Sequence, residues 1–432
     1  MRRGDMLLWV YRFLFVPVLA LLAPHYLWRM RRRGGYGSGF AERLGARGWV
    51  PPRRPGVRRI WVQAVSVGEL LAIGPLLEAI TREPGVEVIL TCTTSTGRAL
   101  AEQRYAQVTA ARGYFPLDFW PISARVWSAV APDLVVLAEG ERWPEFLAQA
   151  RRRSVKVICI NARMSDRSFK RLRAFRWAVP TLLGGVTRLL AVSEEDAARF
   201  RAVGFAAGSV HVTGNLKLDV APVVLTADEE QALRSQLGFS LCDPIVLGSS
   251  TWPGEEAVLL AAFQRLRARG VAAHLLLVPR HAERRDDVIR ELLASGLTFH
   301  VRSRGAAASR VEVTLADTTG ELRRLTALAA VVFVGKSLSP HGEGQTPIEA
   351  AAAGKAIVMG SGMSNFREAS RELVAAGGAR TVIDGAELES VMEVWLRDGG
   401  LRSIAGSTAS KWHRINQGAL QRTLAALWAD LR

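Results

Sequence analysis

Arg59-Ile60-Trp61-Val62-Gln63-Ala64-Val65 runs directly into Ser66-Val67-Gly68-Glu69. The first seven residues form a short, nearly continuous apolar run without a helical period. The next four form a Ser-x-Gly turn that opens a helix. A buried strand followed at once by a helix start is the unit of an open parallel sheet. The pattern recurs. Val86–Thr93, Leu134–Glu139, Val155–Ala162 and Leu189–Ser193 read as further buried strands, with helical stretches between most of them. A second series follows Pro244: Ile245–Ser249, His274–Pro279, Val311–Ala316, Val331–Val334 and Ala356–Met359, with helices such as Glu255–Arg269 and Glu283–Ala294 between them. Residues 220–243 hold the seam, with Pro222, a polar helix start at Thr226 and a Cys242-Asp243-Pro244 turn. There is no internal sequence repeat. The fold expected is α/β: two doubly wound domains with a cleft between them, and ligands at the carboxyl ends of the strands.

The chain has 432 residues, 49% hydrophobic and 22% charged. That is a globular composition long enough for two or three domains, and it excludes disorder and a collagen-like chain. Fifty-seven Lys and Arg against 40 Asp and Glu leave +17. The excess suits an anionic partner (nucleic acid, acidic lipid or a phosphorylated substrate) or a compositional bias, since only six of the cations are Lys and the Arg are spread along the chain. The cations are not interleaved with aromatics in one stretch, so no nucleic-acid partner is expected. Cys92, Cys159 and Cys242 lie far apart, with no zinc spacing, and are expected to be buried, inert thiols in a reducing compartment. No group of His, Asp and Glu has metal-ligand spacing.

Met6–Trp28 is mostly apolar but interrupted by Arg12. The uninterrupted run, Phe13–Trp28, is shorter than the roughly 20 residues that span a bilayer comfortably. Trp9, Tyr11, Tyr26 and Trp28 suit an interface, and Arg29-Met30-Arg31-Arg32-Arg33 suits anionic headgroups. No small-residue cleavage site follows, so the reading is an uncleaved membrane anchor, spanning or interfacial, with the rest of the chain cytoplasmic.

The residues after each strand carry the chemistry. Ser66, Gly68 and Glu69 offer either an anion site with a carboxylate or an ordinary charged helix start. Thr93, Thr94, Ser95 and Thr96 before Gly97 suit a phosphate, a sugar hydroxyl or a helix cap. Glu139 and Glu141, two residues apart, suit acid–base work or a structural pairing of one of them with Arg142. Asn161 and Arg163 end another strand, and Lys217 lies in the closing segment Gly214–Asp219. In the second half, Ser249-Ser250-Thr251 precedes Pro253-Gly254-Glu255-Glu256, and Arg280-His281 offers a cation to a phosphate. The stretch from Gly335 to Glu349 is the longest polar, Gly-rich loop, and Glu349 at its helix start is placed to take ribose hydroxyls. No P-loop lysine pattern and no GxGxxG follow the first strand, so neither triphosphate hydrolysis nor dinucleotide redox chemistry is expected.

Over nearly the whole chain, the order and spacing of these motifs resemble the bacterial 3-deoxy-D-manno-octulosonic acid (Kdo) transferase family. The resemblance rests on the apolar N-terminus, Val65–Glu69, Thr93–Gly97, Glu139–Pro144, Asn161–Arg163 with Ser165, Gly214–Asp219, Gly248–Thr251 with Pro253–Glu256, Val278–His281, and Ser337–Glu349 up to Asn365-Phe366. It implies a GT-B glycosyltransferase of two Rossmann-like domains facing a central cleft, carrying Kdo from CMP-Kdo to a lipid A precursor, with inversion and without a metal or other cofactor. Glu69 would be the general base. The donor would meet Arg280, His281, Ser249, Ser250, Thr251, Lys336, Ser337, Gly342, Gly344, Gln345 and Glu349. Ser66, Gly68, Thr93–Thr96, Glu139, Glu141, Asn161, Arg163 and Lys217 would lie on the acceptor side. The division expected is 1–33 anchor and basic flank, 34–220 acceptor domain, 221–243 linker and first helix, and 244–432 donor domain, at the cytoplasmic face of the inner membrane. Five changes depart from the family pattern. Lys336 replaces a glycine, Glu343 is inserted in the Gly-Gly-Gln-Asn-Pro loop, where Thr346 also replaces Asn, Trp252 stands where His is frequent, and Ser361-Gly362 replaces Pro-His. Glu343 beside an anionic donor is unfavourable unless it points away or meets a cation such as Lys336. The competing readings are a GT-B transferase using another nucleotide sugar and a non-catalytic membrane-anchored binding protein.

Overall fold

The computed structural model describes residues 3–33, 39–140 and 142–431. Its chain forms two units, residues 1–219 with 417–432, and residues 220–416.

The first unit is built on a seven-stranded sheet in the order β3-β2-β1-β4-β5-β6-β7, every pair parallel. Its strands are β1 (Arg58–Ala64), β2 (Val86–Cys92), β3 (Ala111–Tyr114), β4 (Leu134–Ala138), β5 (Lys156–Ala162), β6 (Arg188–Ala191) and β7 (Val210–Val212). The second unit repeats the plan with β8 (Ile245–Thr251), β9 (His274–Pro279), β10 (Phe299–Val301), β11 (Val313–Leu315), β12 (Val331–Val334), β13 (Ala356–Gly360) and β14 (Ala379–Val382), in the order β10-β11-β9-β8-β12-β13-β14. Strand direction of travel reverses between β1 and β4 in one sheet and between β8 and β12 in the other. These are the switch points where doubly wound sheets open a crevice.

Both faces of each sheet are covered, which is why the central strands read as unbroken apolar runs. In β1, Trp61 joins Trp127, Phe115 and Phe146 on one face, with ring centroids 4.9 Å from Phe146 and 5.4 Å from Trp127. Ile60, Val62 and Ala64 face the Val67–Thr81 helix through Leu70, Ile73 and Leu77. A buried polar relay crosses this core. Trp61 Nε1 donates to Thr91 Oγ1 (2.9 Å), Thr91 to Gln63 Oε1 (2.7 Å), and Gln63 Nε2 to Thr93 Oγ1 (2.9 Å), so the loop after β2 is tied to the interior.

Three expectations are corrected. The chain's last helical stretch breaks at Gly418 (φ 91°) into Gly399–Asn416 and Ala419–Leu431. The second piece returns to the first unit, whereas the sequence division assigns all of 244–432 to the second. Asp219 explains the return: its carboxylate accepts the N–H groups of Gly418 (2.6 Å) and Leu420, and Arg188 and Lys156 hold Asp430. Cys242 is exposed at its turn, unlike the buried Cys92 and Cys159. Tyr11, expected at an interface, instead turns into the first unit from the helix Arg3–Arg33, as does Arg12 beside it.

Candidate active site at the two switch points

In the first unit, β1 ends in Ser66, which caps the Val67–Thr81 helix by accepting from Glu69 N. Glu69 reaches back, its Oε2 accepting from Val65 N at 2.8 Å, and its Oε1 lies 3.5 Å from Ser66 Oγ. This reciprocal arrangement is close to a capping box and fixes the carboxylate at the strand end. Gly68 is exposed beside it. The loop after β2 is bound to the same place: Thr94 donates to Val65 O (3.1 Å) and caps the Ser95–Tyr105 helix by accepting from Gly97 N. Thr96 leans on Thr94 (3.4 Å), and Ser95 begins the helix.

Across the switch point, Glu139 follows β4 with φ 52°. Its partner is Lys217, with Nζ 2.9 Å from Oε1, and Asn161 Nδ2 lies 3.5 Å from the same oxygen. Of the two carboxylates offered to Arg142, Glu139 is not its partner. That guanidinium lies over the Phe200 ring at 5.0 Å and reaches Cys159 Sγ at 3.9 Å. Asn161 is buried, and its Oδ1 accepts from Leu216 N (2.9 Å), so it locks the Lys217 segment in place. Arg163 is exposed past the end of β5. Glu141 lies outside the described residues.

In the second unit, the assigned donor residues divide into a framework and a displayed set. Thr251 is fully buried, and its hydroxyl donates to Glu256 (2.7 Å), which in turn holds Arg284 through two bonds of 2.7 and 3.1 Å. Ser337 is fully buried, and its Oγ accepts from Gly360 N (2.8 Å). Their hydroxyls, expected on the donor, are instead structural, because the crowded strand ends consume them. Ser249 and Ser250 are also buried, Ser250 with φ 54°. The displayed set is Arg280, His281, Gly342 and the Lys336 side chain. Arg280 is exposed, anchored by its backbone N–H on Thr251 O (3.0 Å), and its guanidinium has no carboxylate partner among the described residues. An unpaired cation at a strand end is a ready anion site. Gln345 and Gly344 turn the loop back, with Gln345 N on Gly335 O (2.9 Å) and Gly344 N on Lys336 O (2.8 Å). Gly335 is needed because a Cβ there would lie 2.3 Å from Ser250 O. Glu349 Oε2 is buried without a hydrogen-bond partner among the described residues, and burial raises its carboxyl above the ordinary range.

The residue that sequence reading passed over is Glu255. Its buried carboxylate accepts the N–H groups of Trp252 (2.9 Å), Lys336 (2.7 Å), Ser337 (2.9 Å) and Leu338 (3.1 Å), joining the ends of β8 and β12 across the switch point. A carboxylate opening a helix was visible at 255, but nothing local showed that its bonds reach some eighty residues along the chain.

The family model described as 3-deoxy-D-manno-octulosonic-acid transferase (kdotransferase) matches residues 38–220. A 3-deoxy-D-manno-octulosonic acid transferase from Bordetella pertussis is 35% identical over 434 residues, covering 96% of this chain and 98% of that one. This chain belongs to the Kdo transferase family. The Haemophilus influenzae enzyme of the same name is 29% identical, covering 96% of this chain and 94% of its own. Among solved structures, a glycosyltransferase from Rickettsia africae matches at TM-score 0.59 and 12% identity, covering 87% of this chain and 99% of that one. Anabaena Alr3699/HepE in complex with UDP matches at TM-score 0.57 and 15% identity, covering 86% and 99%. The two parallel sheets and these neighbours make the fold of this Kdo transferase family member GT-B.

Three of the residues expected to depart from the family loop meet one another. Lys336 Nζ lies 4.1 Å from the Trp252 ring centroid and 3.4 Å from Glu343 Oε1, and the Trp252 ring also contacts His341 (5.8 Å) and His281 (5.4 Å). The Glu343 carboxylate therefore meets the Lys336 cation.

Proposed function

We propose that this enzyme transfers Kdo from CMP-Kdo to the glycolipid precursor of lipid A, with inversion and without a metal. The observation that carries the reading is kinship to Kdo transferases over 96% of the chain. The site's chemistry agrees with it. Glu69 takes the proton of the attacking sugar hydroxyl while that hydroxyl bonds to the anomeric carbon. The bond from that carbon to the CMP phosphate oxygen breaks on the opposite face, and CMP leaves with the electron pair. Arg280 meets the charge that develops on the phosphate, in a position where no carboxylate among the described residues is paired with it. The partnerless oxygen of Glu349 suits ribose hydroxyls. Thr93–Thr96 and the Glu139–Lys217 pair line the acceptor side, with Lys217 available to an anionic acceptor group. The apolar N-terminal helix and its basic flank hold the enzyme on the inner membrane's cytoplasmic face, where an anionic glycolipid is reached from the surface.

The test is incubation with CMP-Kdo, generated in situ, and tetraacylated lipid A precursor, read by mass spectrometry. A gain of one or more Kdo masses is expected, and it gives the number transferred. A folded protein stabilised by CMP but yielding no gain refutes the sugar or the acceptor. Stabilisation by UDP or GDP in place of CMP refutes the donor. Glu69→Gln should lower turnover by about 10²–10⁴-fold, the usual contribution of a general base, with CMP affinity within about twofold of wild type. Undiminished turnover in that variant would remove Glu69 from the mechanism.

A further inference from the structure

We infer that the N-terminal helix inserts into and leaves the membrane on one face, so that Met6–Trp28 is an interfacial anchor and not a crossing. This rests on the membrane reading above. By length and composition the segment suffices to cross, with 23 residues at mean hydropathy 2.1. Two ties to the same folded unit prevent it.

The first tie is at residues 8–15. Arg12 is buried, and its Nε and Nη2 bond the Glu145 carboxylate at 2.7 and 3.1 Å. Glu145, fully buried, opens the Pro144–Arg152 helix. Tyr11 donates to Asp118 Oδ2 (2.7 Å), and Asp118 accepts the N–H groups of Glu145 (2.9 Å) and Phe146 (2.7 Å). Trp9 stands edge-on to Trp120 at 6.1 Å, Phe15 stacks on Phe119 at 5.9 Å, and Leu8 is buried. Lifting this stretch into hydrocarbon would strand a buried carboxylate without its cation.

The second tie is where the chain rejoins the unit. Glu42 Oε2 accepts from Tyr114 N in β3 at 2.7 Å. Only five residues separate Arg33 from Gly39. Such a connection reaches at most about 21 Å, short of the roughly 30 Å hydrocarbon core. Glu145 and Tyr114 belong to one unit, so the two ends of the apolar stretch stand on one side of the bilayer.

Between the ties the helix is apolar on nearly every side: Leu21 is 80% exposed, and Val16, Val18, Leu22, Leu27 and Trp28 are exposed as well. The occupant that fits is the surface of an anionic bilayer. Arg29–Arg33 ends the apolar run with four arginines. The Asp166–Ala174 helix exposes Arg167, Lys170, Arg171 and Arg173, and leads to the exposed Phe175 and Trp177. Trp177 lies just before the short Val179–Leu182 helix, on which the N-terminal helix packs. Aromatic and apolar groups rimmed by arginines are the composition of an interfacial surface.

The experiment uses the full chain carrying Cys242→Ser, with Arg3→Cys, Arg31→Cys or Arg171→Cys added singly. Each is labelled by a membrane-impermeant maleimide in spheroplasts and in inverted vesicles. All three positions should label only in inverted vesicles. Labelling of Arg3→Cys in spheroplasts, with Arg171→Cys protected there, overturns the inference and leaves the membrane reading intact. A chain that does not float with vesicles of phosphatidylglycerol overturns both. Paired Arg12→Leu and Glu145→Gln substitutions remove the tie without orphaning a charge. The paired variant should expose position 3 to spheroplast labelling in part of the population, and an unchanged pattern would overturn the role given to this ion pair.

Discussion

At the scale of single residues, the backbone marks the site as clearly as the side chains do. Glu139, Asn161, Ser250 and Lys336 all have positive φ, and all stand at or beside the carboxyl end of a strand flanking a switch point or its neighbour. Such conformations cost non-glycine residues energy and gather where a chain is held for function. None was legible in the sequence, because φ depends on what surrounds the residue. The residue types were legible. Glu69, Arg280 and Glu349 were singled out from their positions after apolar runs, while Thr251 and Ser337 were chosen for their hydroxyls and turned out to be structural. The Trp252–Lys336–Glu343 cluster yields a prediction at this scale. If these three residues work as one latch, their substitutions will not add. Trp252→His and Lys336→Gly should each weaken CMP binding, and the double variant should lose less than the sum by about 0.5–1 kcal/mol, the value of an exposed cation–π contact. Calorimetric titration of the four proteins with CMP measures this, and strict additivity would show that the three residues act separately.

At the scale of elements, what the sequence missed has one cause. The four strands that went unread are β3, β7, β10 and β14, and they are the four edges of the two sheets. Each has only three or four residues, and Arg112, His211, His300 or Arg380 interrupts its apolar character. A central strand is buried on both faces and announces itself, whereas an edge strand need bury only part of one. The N-terminal helix is a second case. Arg12 reads as an interruption of an apolar segment, but Glu145 and Asp118 supply its setting from more than a hundred residues away. Burial raises the Asp118 carboxyl from 3.8 to about 6, against the hydrogen bonds from Tyr11, Glu145 and Phe146 that pull it down. A carboxyl with a raised folded pKa favours the fold below its unfolded value and loses that contribution as pH rises through the folded one. Wild type should therefore lose up to about 3 kcal/mol relative to Asp118→Asn between pH 4 and pH 7. Urea unfolding of both proteins across that range checks this, and parallel pH profiles would show that Asp118 does not carry the shift.

At the scale of the whole molecule, the two units are unequal in how they use the chain. The second is one continuous stretch, Val220–Asn416, with its own seven-stranded sheet and a core drawn wholly from within it. The first needs two separated segments. Its core includes Ala419, Leu424, Leu427 and Leu431 from the returning helix, beside Leu70, Leu77 and Leu216. Three of that helix's four leucines, Leu424, Leu427 and Leu431, are each at most 9% exposed, and burying a leucine contributes about 1.5–3 kcal/mol. Their combined loss would match the roughly 5–15 kcal/mol that holds a typical domain together. Residues 220–416 expressed alone should therefore fold, melt cooperatively and bind CMP within a fewfold of the full chain, because Arg280, Glu255, Glu349 and the loop from Gly335 all lie inside that stretch. Residues 1–219 alone should fail to fold or should aggregate, and adding a peptide of residues 417–432 should recover part of the native circular dichroism. A fragment 220–416 that folds without binding CMP would mean that the nucleotide is held by residues outside this unit, and Arg280 would lose its assigned role.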